Sequence, residues 1–87
     1  MLRIERHANG DVVFAISGRL AADNVSELVT LLAAEAAGRT IVLDLQDVVR
    51  VDRDIVRFLR AREGDGIVLR NCPAYIRHWI AREEESV

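Results

Sequence analysis

With 87 residues, of which 51% are hydrophobic and 30% charged, the chain has an ordinary globular balance and room for one small core, which excludes disorder and a second domain within 1–87. A formal net charge of −2 at pH 7 gives no pull toward nucleic acid or an anionic membrane. The single cysteine, Cys72, cannot form an internal disulfide, no Cys/His cluster has metal-ligand spacing, and no signal peptide or bilayer-length apolar run is read; a cytoplasmic protein with no metal, no cofactor and no direct membrane insertion is expected.

Leu2 and Ile4 alternate with Arg3 and Glu5, the turn signal Ala8-Asn9-Gly10 follows, and Asp11 to Ser17 then carries Val12, Phe14 and Ile16 on one face. This pattern predicts a β-hairpin ended by Gly18. Asn24 with Glu27 three residues on reads as a helix N-cap, followed by Val25, Leu28, Val29, Leu32 and Ala36 at helical spacing and by Gly38 as terminator. The apolar run Thr40-Ile-Val-Leu-Asp-Leu45 predicts a buried parallel strand. From the N-cap Asp52 a second helix places Ile55, Phe58, Leu59 and Arg62 inward until Gly64-Asp65-Gly66 breaks it. Ile67 to Arg70 reads as the last strand. Pro73 opens the last helix, with Ile76, Trp79 and Ile80 inward and an acidic end, Glu83-Glu84-Glu85, expected to fray because negative charge opposes the helix dipole there.

The order ββαβαβα predicts one small α/β domain with a four-stranded, mostly parallel mixed sheet, the first strand antiparallel and the crossover helices mainly on one face. Three helices cannot readily cover both faces. Val13, Ala15, Val42 and Val68 fall on the other face and are expected to form a homodimer or a close heteromeric contact.

Three segments taken in order, Val13-Phe-Ala-Ile-Ser-Gly-Arg-Leu20, Ile41-Val-Leu-Asp-Leu45, and Val51-Asp52 opening a helix, resemble a STAS domain of the anti-sigma-factor-antagonist family. The resemblance implies a SpoIIAA-like fold and a bacterial, regulatory, non-enzymatic interaction module in transcription regulation, whose partner is an anti-sigma factor or kinase-like regulator. It equally admits a STAS subunit that braces the ATPase of a bacterial lipid-trafficking ABC transporter. In phosphorylatable members the corresponding helix opens Asp-Ser-Ser-Gly and the first serine takes the phosphate; here Asp52-Arg53-Asp54-Ile55 offers no hydroxyl. The resemblance also makes the segment Asp52–Gly64 about one turn short.

Asp44 and Asp52 could be paired carboxylates for acid–base chemistry, but helix capping and loop-amide contacts account for them better. No nucleophile, base and orienting group assemble around them, and His7 and His78 lie far off in sequence; an enzyme is not expected. Arg53, Arg57 and Arg60 form a stripe on the second helix with Arg50 just before it. The stripe is a solvated face partly neutralised by Asp54 and Glu63, or a surface for an acidic partner or a phosphate. The partner-binding set is therefore Asp52, Arg53, Asp54, Arg57 and Arg60. The rival reading is a nucleotide-binding regulatory domain, with first-turn amides taking a phosphate and Arg53 assisting. Tyr75 and Trp79, at i and i+4, are expected to pack, and Cys72 lacks a neighbouring base that would activate it.

Overall fold

The computed structural model describes residues 2–35 and 37–85. Strands β1 (Leu2–Asn9) and β2 (Asp11–Arg19) form an antiparallel hairpin in which Ile4 faces Ile16 and Ala8 faces Val12. Gly10 closes the turn at φ 86°, a backbone that side chains disfavour and glycine adopts freely. Helix α1 (Val25–Ala33) leads to β3 (Ile41–Arg50), and β3 pairs parallel with both β2 and β4 (Val68–Arg70). Helix α2 (Arg53–Gly64) lies between β3 and β4 in the chain, and α3 (Ala74–Glu85) follows β4. The sheet order is β1-β2-β3-β4.

One apolar cluster holds the layers together. Val12, Phe14 and Ile16 of β2 and Leu43 and Leu45 of β3 pack with Leu28 of α1, Ile55, Val56, Phe58 and Leu59 of α2, and Ile76 and Ile80 of α3. All three helices therefore cover the same face of the sheet, as two-period strands and amphipathic helices dictate.

Four details depart from the sequence reading. Strand β3 runs on to Arg50, past Leu45, because two register shifts in its pairing with β2 take up the extra residues; such bulges bend a strand without ending its ladder. Asn24 makes no side-chain N-cap; its Oδ1 accepts from the Ala21 N–H at 3.0 Å and its own N–H donates to the Ala21 carbonyl, closing a 3-10 turn (Ala22–Asn24) before α1. Helix α1 stops at Ala33, and Val29, expected inward, is exposed; Ala36 lies outside the described residues. Glu83 is 8% exposed and docked against α2, so at Glu83 the end of α3 does not fray.

Asn71 turns the chain between β4 and α3 at φ 53°, a left-handed conformation that asparagine tolerates and β-branched residues do not. Asn71→Val is expected to destabilise the fold by about 1–2 kcal/mol, checked by urea unfolding, whereas Asn71→Gly stays close to wild type.

Candidate functional site

The site is built where β3 hands over to α2. Asp52 has extended backbone and caps α2 by accepting the Ile55 N–H on Oδ1 at 3.0 Å. Its other oxygen accepts the Ala22 N–H at 2.7 Å, so one carboxylate fixes both the start of α2 and the turn entering α1. Arg53 is then the first residue of α2, and the Asp52 carbonyl accepts from the Val56 N–H at 3.1 Å.

Arg53 and Arg57 lie one turn apart and converge on Glu83 of α3. Arg53 Nε donates to Glu83 Oε1 at 3.0 Å, and Arg57 Nε approaches Oε2 at 3.6 Å. The neutralising carboxylate thus comes from the neighbouring helix, while Glu63, expected to balance the stripe within α2, pairs with Arg77 of α3 at 2.8 Å. Arg60 is half-buried, Asp54 is exposed in the first turn, and both Arg53 and Arg57 stay more than half exposed. The hydrogen bond from Arg53 holds the Glu83 carboxyl below the usual carboxylate range against the opposing effect of burial, with the charges of Arg53 and Arg57 and the indole of Trp79 adding to the lowering.

A depressed carboxylate contributes stability that is present above its unfolded value and lost as pH falls through its folded one. The melting-temperature gap between wild type and Glu83→Gln should therefore be full at neutral pH and close as pH drops below the usual carboxylate range. Thermal melts across that window check this; a gap independent of pH contradicts the ion-paired assignment.

Two depressions share Trp79 and Arg82, and the first of them is bordered by Arg53. One of about 380 Å³ is lined by Arg53, Trp79, Arg82 and Glu83, and one of about 510 Å³ by Ala74, Tyr75, His78, Trp79 and Arg82. Trp79 is half-buried against the core, whereas Tyr75, 48% exposed, lies at the helix edge outside the core. The sequence reading takes Trp79 as packing and misses Arg82 and Glu83 as part of the site; the i, i+4 spacing of Trp79 and Glu83 on one helix face is the available signal.

The sheet face away from the helices carries the other predicted set. Val13, Val42 and Val68 are cross-strand neighbours, with Ala15 beside them opposite Asp44. Val68 is exposed and Val42 is buried between its neighbours. A polar depression of about 200 Å³, lined in part by Arg3, Glu5, Asp44 and Asp47, adjoins them. Asp44 accepts from the Gln46 N–H, Asn71 Nδ2 and Arg70 Nη2. Its partial burial pushes the pKa up, but those hydrogen bonds outweigh it and hold the group below its ordinary value. Burial raises the Cys72 pKa, the opposite of an activated thiol. Among the described residues no cluster of metal-ligating groups occurs and no helix is long and apolar enough to cross a membrane.

The antiparallel β1, the two parallel crossovers and the helices gathered on one face coincide with a solved protein of the DUF3478 family from Shewanella loihica PV-4, described as having a SpoIIAA-like fold: TM-score 0.58 and 15% identity over 98% of this chain and 77% of that one. The fold is SpoIIAA-like. A second solved structure, Mglu, is similar at TM-score 0.57 and 24% identity over 83% of this chain; the chain spans only 19% of Mglu. No family model and no curated protein matches the chain.

Proposed function

We propose that this domain is a non-enzymatic, cytoplasmic protein-interaction module of the anti-sigma-factor-antagonist kind, docking through Asp52, Arg53, Asp54, Arg57 and Arg60, and that no kinase switches it at position 53. The observation that carries the reading is Arg53 itself: it opens α2 directly behind the cap Asp52, is held by Glu83, and still leaves 62% of its side chain exposed. A serine or threonine kinase finds no hydroxyl at 52–54, and the arginine charge is fixed, so binding is constitutive.

The non-enzymatic half is supported by chemistry already spent elsewhere. Asp44 is tied to Arg70, Asn71 and a backbone amide, Asp52 to two amides, and the Cys72 thiol is held protonated by burial. A nucleotide is disfavoured at the start of α2 because the Asp52 carboxylate takes the Ile55 amide and would repel a phosphate arriving there. The sheet face away from the helices, where Val68 is exposed, Val13 and Ala15 are half-buried and Val42 is covered by its neighbours, serves as a second contact surface, for a homodimer or a partner. A monomer mass independent of concentration in sedimentation removes the homodimer.

The test is capture. Immobilised wild-type domain should retain a partner that Arg53→Glu loses, because reversal turns a carboxylate contact into repulsion. An anti-sigma factor or kinase-like regulator in the captured material supports the reading, an ABC ATPase assigns the transporter role instead, and equal capture by both proteins contradicts an interface at Arg53.

A further inference from the structure

The depression between Arg53 of α2 and Glu83, and the one lined by α3 alone, share Trp79 and Arg82 and adjoin as one groove along the outer side of α3. Its ends differ chemically. The far end is floored by Tyr75 and Trp79, an amphipathic aromatic pair of which Tyr75 is 48% exposed; large, stiff aromatic surfaces gain most from covering. At the near end Arg53 lines the groove, with Arg57 joined to it through Glu83.

One carboxylate shared by two guanidiniums leaves this trio with one positive charge in excess. Both arginines reach Glu83 through Nε, so Glu83 orients them while their terminal nitrogens remain to meet an incoming carboxylate as a fork. The buried acid is in this sense a positioning residue for the two cations.

We propose that this groove takes a short amphipathic acidic helix of a protein partner, with an apolar side chain over Tyr75 and Trp79 and a carboxylate at Arg53. The inference rests on the interaction reading above and names the partner's chemistry. The order along the groove, apolar and then cationic, sets the register of the bound segment. A helix repeats an apolar face every three to four residues, so an apolar anchor and an acidic residue one turn away reach the two ends together.

Trp79 is the only tryptophan in the chain and lines both depressions, so its fluorescence reports occupancy directly. The probe is a synthetic helical peptide without aromatic residues, with leucines along one face and glutamates along the adjoining flank. It should shift Trp79 emission saturably, bind more weakly as salt rises, and lose about tenfold in affinity to Tyr75→Ala and to Arg53→Ala. The same peptide with lysine for glutamate should not saturate. An unchanged emission with the acidic peptide, equal binding of the lysine peptide, or equal binding to Tyr75→Ala overturns the proposal. An emission shift with anionic phospholipid vesicles and none with the peptide also overturns it, in favour of a lipid surface. With the captured native partner, loss on Arg53→Glu but retention by Tyr75→Ala defeats the groove and leaves the interaction reading intact; retention by both variants defeats the two together.

Discussion

Leu59→Ala should lower the melting temperature by roughly 10–30 °C, the largest effect of any single change considered. Leu59 is fully buried in the cluster that joins α2 to the sheet, and removing its branched end costs both transfer energy and a cavity, about 2–5 kcal/mol. Small domains of this size are stable by only about 5–15 kcal/mol, and each kcal/mol moves the midpoint by roughly 4–8 °C. Leu59→Met keeps the volume and should cost less than about 1.5 kcal/mol. Circular dichroism melts of the two variants check the difference; a fall below about 5 °C for Leu59→Ala contradicts the packing of α2 described above. The consequence is functional, because Ile55 and Leu59 lie one turn apart on the buried side of the helix that carries Arg53 and Arg57.

Asp52→Ala should destabilise by roughly 2–3 kcal/mol, more than loss of an ordinary cap. The helix cap contributes about 1 kcal/mol, and the second, charge-assisted bond to the Ala22 N–H adds about 1–2 kcal/mol when its acceptor disappears. Asp52→Asn separates the two contributions. Its single amide oxygen can serve one N–H while its NH2 group faces the other, so it should keep about half of the stability. Asp54→Ala, in the same turn but exposed, should stay within about 0.5 kcal/mol. Urea unfolding of the three variants gives the order; an Asp52→Ala no worse than Asp54→Ala contradicts the double bond drawn for this carboxylate.

Much of this architecture follows from local pattern. Alternation in Val12, Phe14 and Ile16, the Asn9-Gly10 turn, and Asp52 before the periodic Ile55 and Leu59 state their elements in the sequence itself, since strand period, turn backbone and cap chemistry are all short-range. What escapes is tertiary. Gln46 and Asp47 interrupt the apolar run, so nothing local continues β3 to Arg50; its ladder with β2 does. Asn24 has the residue type of a cap but uses its side chain to close the turn before the helix, a competition between two local hydrogen bonds that composition does not decide.

The site shows the same division. Asp52 and Arg53 are legible as the opening of a helix, while their partners are not: Ala22 and Glu83 each lie 30 residues away. Three consecutive glutamates at a helix end read as an unfavourable dipole pairing, yet the first of them is buried between two arginines, where local charge outweighs the dipole. Arg53 was accordingly expected to wait for a partner's carboxylate; it holds one from its own chain and presents the remaining face of the guanidinium outward.

On the reading proposed above, the start of α2 is a constitutive docking surface with Arg53 at its heart. Isothermal titration of the captured partner into wild type and Arg53→Ala, with melting temperatures recorded alongside, tests it most directly. Arg53 is largely exposed but its partner Glu83 is buried and would keep only Arg57, at 3.6 Å, so Arg53→Ala should melt somewhat below wild type yet stay folded at the titration temperature, while binding its partner more weakly by about 1–3 kcal/mol, a loss of roughly five- to 150-fold. Equal affinity for the two proteins, both folded at that temperature, would contradict the claim.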